Sequence, residues 1–265
     1  MTVFISSFDP ISQSEIDWLK EYHKNNKTEK IQLVLTDEGI LPKKTRKQLL
    51  ERAIHRYSYI EIVNQKKNAQ VLNSIDEDKI RQGLFKYCAY GTRKEMIENG
   101  YYFEEIIAYH CKERRMNHSL RVAKLSKELA KKHGLDERIA YQMGILHDIT
   151  KDKEDDFHKK ILKKHDPNRL KDNHNVWHSF SAMYWLKENM YINDKRILEA
   201  IYYHTIGNPK GKYNKLLYIA DKIEPGRKYD VSKETKLAFK DLDKAYDLVY
   251  DEAKDYIYET EGIHV

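Results

Sequence analysis

Residues 136–151 read DERIAYQMGILHDITK, and this stretch decides the fold of the C-terminal part of the chain. Asp136 is an N-cap candidate. The helix it opens carries Ala140, Met143 and His147 on one face, at i, i+3 and i+7. Asp148 follows directly. An apolar stripe that ends on an imidazole beside a carboxylate brings ionisable groups to the edge of a core. A carboxylate buried there must be paired or bind a cation.

The neighbouring helical stretches repeat the pattern. Asn117 to His133 ends at Gly134, a C′ residue, and carries Val122, Leu125 and Leu129 with His118 one turn earlier. A helix from about Val176 aligns His178 with Ala182 and Trp185. The helix after Asp194 runs Ile197, Ile201, His204, and the last one runs Leu217, Asp221, Glu224. Four histidines and two aspartates therefore fall on or beside inward faces of successive helices. One such histidine alone is more often a hydrogen-bonded core residue. The whole set aimed into one core is destabilising without a ligand, and a metal satisfies every member. Neutral imidazole and carboxylate oxygen suit iron, manganese, cobalt or zinc. No cysteine takes part, so a structural zinc site is not expected.

The first part of the chain has another texture. Val3–Ser6, Ile31–Thr36 and Tyr59–Val63 are short apolar, β-branched runs, separated by helical patterns over Glu15–His23 and Lys43–His55. Strands alternating with helices predict a small parallel sheet. Strand signals stop near Tyr102. The expected organisation is an α/β, Rossmann-like domain over residues 1–102 and an all-α helical bundle over residues 103–265.

Composition narrows the rest. The 265 residues are 40 % hydrophobic and 34 % charged, enough for a real core in one large domain or two modest ones. No apolar run approaches the roughly 18 residues of a membrane span, and no signal peptide is visible at the N-terminus. Cys88 and Cys111 show neither metal-site spacing nor a disulfide framework, so a cytoplasmic setting is expected. The net charge of +6 is spread along the chain and interrupted by acids. It reads as a solvated surface or a mild field for polyanionic small molecules, not as a nucleic-acid footprint.

The ordered set His118, His147-Asp148, His178, His204, Asp221 resembles the HD-domain phosphohydrolases. The stretches ILHDITK (145–151), WHSFSAMYWL (177–186), IYYHTIG (201–207) and YIADKIEPGR (218–227) are similar to the YqeK-type branch, whose members hydrolyse diadenosine tetraphosphate symmetrically. This resemblance implies two divalent transition-metal ions, iron foremost, with manganese and cobalt as alternatives. His118, His147, Asp148 and Asp221 would hold one ion. His178 and His204 would hold the other, with Asp148 bridging. Two such cations would acidify a water and neutralise the phosphate under attack. His174, four residues before His178, competes for the ligand role, and the Trp-His step of the family favours His178.

A polyphosphate substrate also calls for cations. Lys151, one helical turn after His147, is assigned to phosphate, with Arg121, three residues after His118, and Arg227, after the Asp221 helix. Asp152 is assigned to orient a water or protonate the leaving group. Each of these could equally be a solvated surface charge. The remaining histidines, His264 among them, read as surface or local packing.

The opening Ile5-Ser-Ser-Phe8-Asp9-Pro10 resembles nicotinate mononucleotide adenylyltransferases, as do Lys79-Ile80-Arg81 and the stretch from Thr92 to Tyr101. The turn glycines of that family are Ser6 and Ser7 here, and its His-x-Gly-His step is Ser12-Gln13-Ser14-Glu15. No imidazole remains to stabilise transition-state charge, and Glu15 would repel a triphosphate. The first domain is thus expected to be a degenerate nucleotidyltransferase-like unit without that activity, free to bind a nucleotide, regulate, or mediate a homodimer.

The function implied is symmetric cleavage of diadenosine tetraphosphate, a small-molecule dinucleoside polyphosphate, into two ADP. The alternatives are an HD phosphohydrolase acting on another nucleotide or alarmone, and a nucleotide-sensing scaffold with a residual metal site. Neither a membrane nor a nucleic-acid partner is expected.

Overall fold

The computed structural model describes residues 2–27, 30–64 and 68–261, with residues 255–261 by backbone alone; His264 lies outside them. The chain divides into two compact units, Met1–Tyr102 and Phe103–Val265.

The first unit is built on β1 (Thr2–Ser6), α1 (Gln13–Asn26), β2 (Ile31–Leu35), α2 (Lys43–Ile54), β3 (Ile60–Ile62), β4 (Gln70–Val71), α3 (Glu77–Arg81) and α4 (Arg93–Asn99). The strands form one parallel sheet in the order β3-β2-β1-β4, with Phe4 opposite Leu33 and Leu33 opposite Ile62. Phe4, Leu33, Ile16, Leu19 and Leu50 pack the core, and Trp18 and Tyr22 meet the Phe4 ring edge-on at 5.2 and 5.0 Å. β4 was not anticipated: its two residues, both exposed, are too few to carry an alternating pattern. The strand order places a topological switch between β1 and β4, the crevice where folds of this class bind nucleotides.

The second unit has no strand among its described residues. It comprises α5 (Phe103–His110), α6 (Glu113–Lys132), α7 (Glu137–Leu146), α8 (Asp155–His165), α9 (Trp177–Trp185), α10 (Lys195–Tyr203), α11 (Lys212–Ile223), α12 (Ser232–Lys240) and α13 (Leu242–Glu261). α11, expected to be the last, is followed by two more helices.

Local chemistry sets most boundaries. α6 stops where Gly134 adopts φ 65° and the Leu135 amide closes the turn onto Ala130 O at 2.8 Å. α7 starts at Asp136, whose carboxylate accepts from the amides of Arg138 and Ile139. α10 starts at Asp194 in the same way. α6 and α7 come together because Gly144 has no side chain: a Cβ there would lie 2.6 Å from the Ala123 Cα. Around this contact Val122, Ala123, Leu129, Met143 and Ile145 are fully buried. α7 ends at Leu146, and the chain then turns through i+3 bonds: Ile149 N to Leu146 O, Lys151 N to Asp148 O, Lys153 N to Thr150 O. Lys151 therefore stands on a tight turn, not one helical turn beyond His147 on a continuing helix.

Candidate metal centre

Five elements of the second unit each contribute to one cluster. His118 comes from the middle of α6, His147 and Asp148 from the end of α7, His178 from the first turn of α9, His204 from the end of α10, and Asp221 from α11. Asp148, 3 % exposed, is the centre. Its Oδ1 lies 3.2 Å from His178 Nε2 and 3.4 Å from His204 Nε2. Its Oδ2 lies 3.5 Å from His147 Nε2 and 4.0 Å from His118 Nε2. Asp221 Oδ1 closes the second side, 3.0 Å from His118 Nε2 and 3.7 Å from His147 Nε2. Two donor groups with metal-site spacing result, His118-His147-Asp148 and Asp148-His178-His204, sharing one carboxylate.

The protonation of this cluster asks for a cation. His147, His178 and His204 each place Nδ1 against a backbone carbonyl, those of Gly144 (2.7 Å), Asn175 (2.9 Å) and Ile201 (2.7 Å). A carbonyl only accepts, so Nδ1 carries the hydrogen and Nε2 presents a lone pair. His178 Nε2 and His204 Nε2 then face each other lone pair to lone pair at 3.2 Å. His147 Nε2 is buried without any partner. Leaving such a group unpaired costs about 1–3 kcal/mol. Burial pushes His147 down to about 4 and His178 to about 3, so both are neutral, the form that ligates. Burial opposes ionisation of Asp148, but its carboxyl is held well below the usual range, and Arg115 Nη1 donates to its Oδ2 at 2.7 Å. Neutral nitrogens with unmet lone pairs around two ionised carboxylates fit divalent ions.

The cluster forms the floor of a cavity of about 620 Å³ whose rim includes Arg114, Arg115, Arg121, Lys151 and Arg227. Lys151 Nζ donates to Asn175 O (2.9 Å) and lies 3.1 Å from His178 Nδ1, and burial lowers its pKa. Arg227 Nε and Nη2 donate to Asp221 O, and Nη2 reaches Asp221 Oδ1 at 3.1 Å. Arg121 Nε donates to Glu224 Oε2 at 2.5 Å. Asp152 Oδ2 accepts the Lys112 amide at 2.8 Å, and its Oδ1 lies 3.8 Å from Arg115 Nε. His174 is exposed and lies 3.7 Å from Asp155, away from the cluster. His158 is buried against Ser181, a packing role.

Arg115 was missed. Its Nη1 donates to Asp148 Oδ2 at 2.7 Å. In sequence it hides in a solvated-looking run, Lys112–Arg115, but it stands three residues before His118 on the same helix, a spacing that could have singled it out. Lys222 was missed as well: Nζ lies 3.3 Å from Asp221 Oδ2, donates to His204 O at 3.1 Å, and sits 3.8 Å over the Tyr218 ring.

The end of β1 in the first unit is occupied by its own side chains. Phe8 and Asp9 are buried there. Ser12 caps α1, accepting from the Glu15 amide (3.1 Å), while Glu15 Oε2 accepts from the Ser12 amide (2.7 Å). Glu15, expected to repel a triphosphate, is 1 % exposed, and burial pushes its carboxyl up to about 7.

A helical unit that gathers histidines and aspartates in this order has the build of an HD domain, and the HD domain profile matches residues 115–226. The chain is 34 % identical over 137 residues to the symmetrical bis(5'-nucleosyl)-tetraphosphatase of Bacillus subtilis (strain 168), covering half of this chain and 74 % of that protein. It is 33 % identical over 159 residues to a probable nicotinate-nucleotide adenylyltransferase/Ap4A hydrolase of Mycoplasma pneumoniae, matching 57 % of this chain and 46 % of that one, so it spans about half the length of that relative. A crystal structure of a predicted HD superfamily hydrolase involved in NAD metabolism from Clostridium acetobutylicum is similar at 27 % identity and a TM-score of 0.58, over 62 % of this chain and 89 % of that one. The chain belongs to the symmetrical bis(5'-nucleosyl)-tetraphosphatase family of HD-domain proteins.

Proposed function

We propose that the chain is a dinuclear-metal hydrolase that cleaves diadenosine tetraphosphate into two ADP. The observation that carries this reading is the shared Asp148 carboxylate, with one oxygen facing His178 and His204 and the other facing His147 and His118. The first ion would be held by His118, His147, Asp148 and Asp221, the second by His178, His204 and Asp148. Iron is the ion proposed, and the nitrogen and oxygen donors also suit manganese or cobalt. When bound, such a pair supplies Lewis acidity, offsetting phosphate charge and acidifying water.

The chain's own residues supply the rest. Water attacks an inner phosphorus and ADP leaves. Lys151, Arg115 and Arg227 meet the phosphate oxygens, and Arg121 reaches them through Nη1. Arg115, which donates to Asp148 Oδ2, would be released toward phosphate were that carboxylate to bind cations. Asp152 lies within ion-pair range of Arg115 through Oδ1, and that oxygen orients water or the leaving group. The first unit is proposed to lack adenylyltransferase activity, since Ser12 and Glu15 are consumed in a helix cap. Two unpaired, buried cysteines support a reducing, cytoplasmic setting, and no described helix is long and apolar enough to cross a membrane.

The test is product analysis. Metal-loaded protein incubated with diadenosine tetraphosphate should yield ADP alone on anion-exchange chromatography. ATP plus AMP, or no turnover, would sink the reading.

A further inference from the structure

Four imidazoles present Nε2 to the centre, and three of them fix that orientation in the same way. His147, His178 and His204 set Nδ1 against the carbonyl three residues earlier, at 2.7, 2.9 and 2.7 Å. Each stands at or beside a helix end. His118 is oriented differently. It lies inside the 20-residue α6, not at its end. Its Nδ1 instead lies 3.2 Å from Glu224 Oε1.

Glu224 is built for this contact. It is 2 % exposed, just past the end of α11. Its Oε2 accepts from Arg121 Nε (2.5 Å) and from the Gly226 amide (2.6 Å), and Arg121 Nη2 reaches Oε1 at 3.3 Å. A Cβ on Gly226 would run into the Arg121 guanidinium, so glycine is what lets Arg121 close over the carboxylate. A carboxylate that accepts Nδ1–H fixes the tautomer and the ring plane of a ligating histidine and raises its basicity.

We propose that Glu224 is a positioning residue for His118, holding Nε2 toward the centre, and that Arg121 and Gly226 hold Glu224 in turn. Arg121 is then the anchor of this device before it is a phosphate contact. The proposal rests on the metal reading of the centre, and its test uses Mn²⁺ alone, without substrate.

Titration of Mn²⁺ into the metal-stripped full chain, followed by calorimetry, reads it directly. Glu224→Ala should weaken Mn²⁺ binding at the His118 side by about 10–100-fold, the usual consequence of losing such a partner. Glu224→Gln keeps an oxygen that can accept Nδ1–H and should recover part of the loss. On a His118→Ala background, Glu224→Ala should add less than about twofold, because a residue that acts through His118 has nothing left to act on. An Mn²⁺ affinity in Glu224→Ala equal to wild type, or a full further loss on the His118→Ala background, overturns the proposal. Should Glu224→Ala fail to fold by circular dichroism, Glu224→Gln takes its place, with a weakening of a few-fold expected and none overturning the idea. Unchanged Mn²⁺ binding in His118→Ala would remove the metal reading and this proposal with it. Loss of ADP formation alone, with Mn²⁺ binding behaving as stated, would touch only the substrate assignment.

Discussion

Each unit of this chain buries a cluster of ionisable side chains, and the two clusters are finished differently. Around Asp9 and Arg46 of the first unit, donors meet acceptors. Asp9 is fully buried; its carboxylate accepts from the Tyr102 hydroxyl, the amides of Ile40 and Leu41, and Arg81. The buried Arg46 guanidinium donates to the carbonyls of Ser7, Thr36, Asp37 and Leu41. In the second unit, His147 Nε2 has no partner, and the His178 and His204 nitrogens oppose each other at 3.2 Å. A polar cluster closed on itself is part of the fold. One in which imidazole lone pairs converge on one another is suited to a cation that completes it. A buried aspartate thus anchors a strut in one unit and a candidate centre in the other, and the difference lies in whether amides and guanidinium or imidazole lone pairs surround it.

The comparison breaks most visibly through the central carboxylates. Asp148→Ala should reduce ADP formation to background and lower bound metal, since it removes a donor from both groups. Asp9→Ala should do the reverse. It leaves turnover unchanged and lowers stability by about 3 kcal/mol, the low end for breaking a buried ion pair because Arg81 remains partly exposed. Turnover and thermal melts of the two variants check this. Loss of turnover in Asp9→Ala would mean that the closed cluster serves the reaction.

Much of the open cluster was legible because its residues share one face with apolar neighbours at helical spacing, as His147 does with Ala140 and Met143. Boundaries set by adjacent chemistry were legible too: Asp136, Asp194 and Gly134 cap their own helices. What escaped depends on distant partners. α6 begins earlier than its pattern suggests, and the Lys112 amide before it is met by Asp152, 40 residues away. The meeting of Glu224 with His118 spans 106 residues. Lys151 reached the cavity rim by a turn that no periodicity describes.

The clusters should also answer pH with opposite sign. In the first unit, burial raises Glu15 from 4.5 to about 7. Between those values the folded chain holds a proton that the unfolded chain has released, so this contribution to stability falls as pH rises through the window. In the metal-free second unit, burial lowers His147 from 6.5 to about 4. There the unfolded chain binds the proton first, so that contribution falls as pH drops from 6.5 toward 4. Thermal midpoints of wild type and Glu15→Gln across pH 4–8 separate the two. The variant should lose the decline toward neutral pH, worth about 3 kcal/mol at the shift stated, and keep the decline on the acid side. A wild-type curve unaltered by Glu15→Gln would mean that the carboxyl is solvated.

The smallest change tests how far the closed unit stands apart from the reaction. Ser12 is fully buried, and its hydroxyl accepts the Glu15 amide at 3.1 Å as the cap of α1. Ser12→Ala removes that acceptor and leaves an amide unpaired at the helix start, which costs about 1 kcal/mol. The backbone half of the capping box, Ser12 N to Glu15 Oε2 at 2.7 Å, survives the substitution. The fold should therefore hold, with a thermal midpoint a few degrees lower. kcat/KM for diadenosine tetraphosphate should stay at the wild-type value, because each proposed ligand and phosphate contact lies between Arg115 and Arg227. A parallel fall in kcat/KM would show that the end of β1, where related folds seat a nucleotide, still takes part in the chemistry of the second unit.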